Sequence, residues 1–141
     1  MTEFDLKKKL ENHFMTLNDF SAIPFLNESN VNKGDNKAFF VPADKRWFSL
    51  AFLSDTPDEV GIGNNEQERI TGIYQIDICV PIDKGEDEAE NKYKWIKKLF
   101  KTGLEIDEIT INKVYKASAS TEKNYYRVVV RVEWTADIVV D

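Results

Sequence analysis

The sequence predicts an α+β fold: a single mainly antiparallel sheet of about five strands, with two helices packed on one face. Three observations carry this expectation. Apolar and polar residues alternate along 47–53, 69–81 and 125–134, which is the period of half-buried strands. Two other stretches, near the N-terminus and at 86–101, repeat apolar residues every three to four positions, as amphipathic helices do. The resulting order is helix, two strands, a long central strand, helix, two strands, which suits one sheet covered by helices.

The chain has 141 residues, enough for one core, and residues 1–141 are read as a single domain. With 42% hydrophobic and 31% charged residues the composition is that of a globular protein. Cys79 is the one cysteine, so no intramolecular disulfide, CxxC or Cys/His zinc cluster is available. Neither a signal-peptide pattern after Met1 nor a membrane-length apolar run is seen, and use in solution is expected. A net charge of −6 argues against a general nucleic-acid binder while leaving room for a local basic patch.

Taken in order, Thr2 and Asp5 resemble a capping box, and Leu6, Leu10, Phe14 and Leu17 follow at helical spacing, giving a first helix to about Asn18. His13 lies beside that stripe. It has no second histidine to work with and is read as a boundary residue rather than a ligand or base. Residues 21–37 are rich in Asn and Ser, with Pro24 and Gly34, and read as a loop whose Ile23, Phe25 and Leu26 are pinned to the core. Ala38–Val41 reads as a short strand stopped by Pro42. Trp47–Leu53 is a better one, with Phe48, Leu50 and Phe52 on one face, and the two are expected to form a hairpin.

Ser54–Glu68 is a long connection holding Pro57, Gly61, Gly63 and five acidic residues. Loops of this length in a compact domain are commonly functional, and partner contact is the expected role here. Gly61-Ile62-Gly63 lacks the third glycine and the strand-to-helix setting of a phosphate fingerprint. The central strand, Arg69 onward, puts Ile70, Gly72, Tyr74, Ile76, Ile78 and Val80 on one face and Thr71, Gln75, Asp77 and Cys79 on the other, and Pro81 ends it.

The second helix, 86–101, carries Ala89, Tyr93, Ile96, Leu99 and Phe100 as its apolar stripe. Acids crowd its start and lysines its end, complementing the macrodipole, and Gly103 is placed for a left-handed cap. Ile109–Lys116 reads as a weaker strand, Ala117–Asn124 as a polar turn, and Tyr125–Trp134 as a strong strand with Tyr126, Val128, Val130, Val132 and Trp134 inward. The tail, Ala136–Asp141, either extends that strand or reaches a neighbouring subunit by strand addition. Parallel pairing across the second helix is left open by periodicity.

No catalytic constellation is present. GxSxG, HExxH, the P-loop and HxE with CxxC are all missing, and one His with one Cys makes no convincing metal or nucleophile site. Neither an enzyme nor a cofactor or metal is expected. Trp47, Trp95 and Trp134 read as core or interface aromatics.

Glu68-Arg69, Gly72-Ile73-Tyr74-Gln75 and Val80-Pro81 in the central block, together with WFSLAFL, the LF-ending second helix and YYRVVVRVEW, resemble the tail-terminator family of long-tailed bacteriophages over nearly the whole chain. The N-terminal third departs from that pattern. The resemblance implies a structural virion protein of the tail, assembled in the bacterial cytoplasm. It implies a homo-oligomeric ring of about six subunits that caps the tail tube, ends its polymerisation and joins the head. Its partners would be further copies of itself, the tube protein and the head-neck connector. Sequence-specific nucleic acid and membrane are not implied, although DNA passing through the ring is compatible. The alternatives are another head-tail joining protein of the neck, or a small monomeric binding module.

A ring needs heterologous contacts, and the residues expected to supply them are Asp58, Glu59 and Glu66 in the acidic loop, Arg69, Arg127, Arg131 and Glu133 on strand faces, and Ile138 and Val140 in the tail. The three arginines are expected to form intersubunit ion pairs with the acidic loop.

Overall fold

In the computed structural model the described residues are 3–14, 16, 25–26, 47–54, 58–59, 67–82, 85–122 and 125–139. Two helices, α1 (Glu3–Phe14) and α2 (Gly85–Leu99), accompany seven strands: β1 (Phe25–Leu26), β2 (Trp47–Ser54), β3 (Asp58–Glu59), β4 (Gln67–Pro81), β5 (Glu105–Ile106), β6 (Ile109–Thr121) and β7 (Tyr125–Val139). They form one sheet in the order β1-β2-β4-β7-β6-β5, with β3 beside β4. The α+β single-sheet expectation is met. The sheet consists of four long strands plus three pieces of two residues, and only the β1–β2 pairing is parallel.

Alternation decides the core. Phe48 and Leu50 of β2, the even-numbered positions of β4 from Ile70 to Val80 except Gly72, and Val128, Val130, Val132, Trp134, Ala136 and Ile138 of β7 are buried on one face. Cross-strand register stacks them directly, as in Phe48 opposite Ile78, Ile76 opposite Val130 and Tyr74 opposite Val132. Both helices cover this face. Leu6, Leu10 and Phe14 of α1 and Ala89 and Ile96 of α2 join the same cluster, and Phe14 meets Phe48 edge to face at 5.2 Å between centroids. His13 is the boundary residue expected: its Nε2 lies 2.8 Å from the Leu99 carbonyl oxygen, and its ring stands edge-on to Phe100.

The crossover is settled by β7. Chain direction makes β4 and β6 parallel, but β7 runs antiparallel between them, so the α2 connection skips one position and no direct parallel pair forms. Past α2, Gly103 adopts φ 88, and its N–H donates to the Ile111 carbonyl at 2.8 Å. A two-residue turn then joins β5 to β6 with Asp107 at φ 52, a left-handed conformation that Asp tolerates.

Several boundaries differ from expectation. α1 ends at Phe14, and the Thr16 N–H closes a turn on the His13 carbonyl rather than continuing the helix. Phe25–Leu26, read within a loop, is a two-residue parallel bridge to Phe48 and Ser49, too short to leave a periodic signal. The expected strand 38–41 lies outside the described residues, and β2 takes β4 as its antiparallel partner. β6 continues through Thr121, so Ala117–Thr121 is strand and not turn. These residues are exposed small and polar side chains held by pairing with β7, after bulges at 111/113 and 116/118. Of the two readings of the tail, strand extension within the chain is observed, through Val139.

Candidate functional site

The face of the sheet away from the helices is the natural place to look for assembly chemistry, since the even-numbered face is consumed by the core. Odd-numbered positions of β4 and β7 point there. Toward the Pro81 end this outer face is itself packed. Trp47 is 4% exposed and meets the Tyr125 ring at 4.6 Å, while Cys79 and Asp77 are also buried. Asp77 lies 3.7 Å from the Arg127 guanidinium and accepts a hydrogen bond from the Gln75 amide at 3.1 Å. Burial pushes the Asp77 carboxyl above its usual range, with Arg127 and Gln75 pulling the other way. Burial likewise pushes the Cys79 thiol up to about 11, the opposite of an activated nucleophile. This cluster was hidden because Asp77 and Cys79 share the polar parity of β4, and a satellite core on the second face leaves no periodic trace.

Toward the other end the outer face is open and polar. A hollow of about 380 Å³ is lined by Arg69, Glu108, Thr110, Asn112, Thr135 and Asp137. A second, of about 230 Å³, lies between Thr71, Ile73, Asn112 and Glu133. The Asn112 amide donates to the Thr135 hydroxyl at 2.7 Å across the β6–β7 ladder. Among the described residues no group of three or more His, Cys, Asp or Glu could hold a metal.

The structure spreads the expected contact residues over three settings. Arg69 is half exposed and pairs with Asp137 of its own chain, donating from Nε to Oδ1 at 2.9 Å and from Nη2 to Oδ2 at 3.2 Å. Arg127 is engaged with Asp77 and also donates to the Tyr125 hydroxyl at 3.2 Å. Arg131 donates to Gln75 Oε1 at 3.2 Å, and Glu133 lines the smaller hollow. In this single chain, then, each of the three arginines has a partner other than the acidic loop. Asp58 and Glu59 form β3 and stand opposite Arg69 and Glu68 in register. Ile138, expected at an interface, is 7% exposed and belongs to the chain's own core, because the tail is paired with β4 instead of projecting. Glu66 and Val140 lie outside the described residues.

Sequence reading missed that lysines of β6 and α2 come together at one border of the sheet. β6 borders one flank and carries Lys113 and Lys116, and α2, which packs chiefly over β4 and β7, adds the exposed Lys94, Lys97 and Lys101. Tyr93 of α2 marks that side, with the Lys116 Nζ 5.3 Å from its ring centroid. Lys116 is neutralised by Glu90 at 2.7 Å. On the β2 side of β4 the described residues place the two-residue strand β3 opposite Glu68 and Arg69. Of the tryptophans, Trp47 and Trp134 are buried and Trp95 is 46% exposed on α2.

Comparison with known proteins agrees with this architecture. A family model described as phage tail terminator protein matches residues 5–134. No curated protein sequence matches. Five solved chains do. One of them aligns with a TM-score of 0.62 at 17% identity, covering 96% of this chain and 98% of its own, and therefore shares the fold.

Proposed function

Because this chain belongs to the phage tail terminator family and so has a structural role in the phage tail, we propose that it assembles as a ring of about six subunits on the end of the tail tube. There it stops tube polymerisation and presents the surface to which the head's neck attaches. The observation that carries this reading is the family match, which spans nearly every described element from α1 to Trp134 of β7. The single chain is compatible with it: among the described residues β6 from Asn112 to Thr121 pairs with β7 alone, and such an open edge suits the heterologous contacts from which rings close. The ring is assembled in the bacterial cytoplasm and stays in the virion. Among the described residues no helix is long and apolar enough to cross a membrane.

Native mass spectrometry of the full chain over a range of concentrations, followed by negative-stain imaging with purified tail tubes, tests the reading. The expected result is a closed ring seated at one tube end and tubes that no longer grow. Rings that bind the head connector and ignore tube ends would instead make the chain a neck component.

A further inference from the structure

We infer that the solvent face of the second half of α2, built on Lys94, Lys98 and Lys101, is a contact surface for the phosphate backbone of duplex DNA. This goes beyond the ring reading: it gives a surface of each subunit a ligand, whether or not the subunits have closed into a ring.

Burial within the helix sets the face. Ala89, Ile96 and Phe100 are fully buried and point into the core. At about 100° per residue, Lys94, Lys98 and Lys101 lie roughly 140–160° round the helix from Ile96. All three are exposed. Lys97 is exposed beside them, 5.9 Å from the Tyr93 ring centroid, and Lys116 of β6 reaches the same ring at 5.3 Å. The fold therefore brings a further ammonium group up to this border from a separate element.

Little local charge opposes these lysines. Residues 91–104 contain five lysines and no acid. Lys92 is buried beside Glu88, and the other four form no ion pair with a described residue. Glu90, one turn before Lys94, is tied to Lys116 at 2.7 Å, while Asp107 and Glu108, beyond the helix, are both tied to Lys9. The acids that open the helix, Glu86 to Glu88, are about 9 Å or more along its axis from Lys94, roughly one Debye length at physiological salt. Complementing the helix dipole accounts for cations in the last turn, but that effect fades within a turn and does not reach Lys94.

The make-up of the face selects its occupant. Protein interfaces are depleted in lysine and enriched in arginine, methionine and aromatic residues. Here lysines predominate, and the exposed ring of Trp95 has the Lys98 ammonium 5.4 Å from its centroid. A row of compact, mobile cations suits a duplex, which carries one negative charge per roughly 1.7 Å of its axis. No arginine lies on α2, so the bidentate pairing that reads guanine is lacking, and the contact is to the backbone and independent of sequence. With a net charge of −6 the chain as a whole repels DNA, so attraction has to come from a local surface of this kind.

Fluorescence anisotropy of the full-length chain with a labelled duplex of arbitrary sequence, read from about 50 to about 200 mM salt, tests the contact. One variant carries Lys94→Gln, Lys98→Gln and Lys101→Gln. A control carries Lys7→Gln and Lys8→Gln on α1, and unchanged melting curves confirm that both fold. The unmodified chain should bind, with log K falling linearly with log salt. The α2 variant should bind at least about tenfold more weakly at the lowest salt, with a slope flatter by about 0.9 for each lysine that met a phosphate. The α1 control should lose clearly less per lysine. An unmodified chain that ignores the duplex at the lowest salt would overturn the contact. So would an α2 variant that binds as the unmodified chain does, or an α1 control that loses as much per lysine, since net charge alone would then explain the binding. Stronger retention on poly-glutamate than on the duplex would assign the face to an acidic protein instead. Native mass spectrometry of the same samples keeps the two readings apart: monomers that bind DNA through the α2 lysines would remove the ring and leave this contact, and rings that ignore DNA would do the reverse.

Discussion

Trp134 packs over Gly72 on the neighbouring strand: a β-carbon placed on Gly72 would stand 2.7 Å from the indole Cζ2 and would collide with the Leu53 backbone carbonyl on its other side. The missing side chain is what lets β2, β4 and β7 close around a fully buried tryptophan that stacks on Phe52 at 5.3 Å. Gly72→Ala should therefore cost about 1–3 kcal/mol through overpacking. Trp134→Ala should cost about 3–5 kcal/mol through the cavity it leaves. Denaturant unfolding measures both. Because both changes act on one contact, the double variant should lose less than the two losses added together. Strict additivity would mean that the pair is not the constraint.

Tyr74 supplies a different kind of test. It is 1% exposed, its hydroxyl has no hydrogen-bond partner among the described residues, and burial pushes its ionisation well above the usual range. A buried hydroxyl without a partner carries a desolvation penalty of about 1–3 kcal/mol that phenylalanine does not incur. Tyr74→Phe is thus expected to hold or raise the melting midpoint. A drop of several degrees would indicate that the hydroxyl is hydrogen-bonded in solution.

On the outer face, Asp77 makes stability depend on pH. Its folded pKa is raised, so between the ordinary aspartate value and that raised value the native chain holds a proton that the unfolded chain has released. Stability from this group therefore falls as pH climbs through the window, and the penalty is complete above it. Asp77→Asn should gain on the parent protein from about pH 3 to about pH 7, a comparison that cancels the other carboxylates. If the advantage shrank as pH rose, attraction to Arg127 would outweigh burial.

What the sequence disclosed follows from what leaves a period. β2, β4, β7 and α2 each place one unbroken apolar set on one face, and all four are found where alternation puts them. Gly103 was legible because a left-handed cap needs its missing side chain. The outer cluster of Trp47, Asp77, Cys79 and Arg127 was not, because it is assembled from three strands, each giving one or two residues off its main apolar face. The far half of β6 was missed for a related reason. Ala117–Thr121 buries nothing, so only the β7 ladder identifies it as strand. The approach of Lys116 to Tyr93 depends on strand order, because β6 and α2 are separate runs in the sequence and meet only in the fold.

The tail shows how strand order changes an expectation about assembly. If residues 136–141 were a free arm, their deletion would weaken oligomers and spare the fold. Ala136 and Ile138 are instead core residues, and the segment from Thr135 to Val139 is laddered to Gln67–Thr71. Deleting 136–141 removes a buried isoleucine, worth about 1.5–3 kcal/mol by itself, and leaves the first positions of β4 without their β7 partners. It also frees Arg69 from Asp137, an exposed pair worth at most about 1 kcal/mol. The truncated chain should therefore unfold at clearly lower denaturant as a monomer, whereas Asp137→Ala alone should scarcely move the midpoint. A truncation that melts like the full chain yet fails to assemble would show that the last strand is exchanged between subunits.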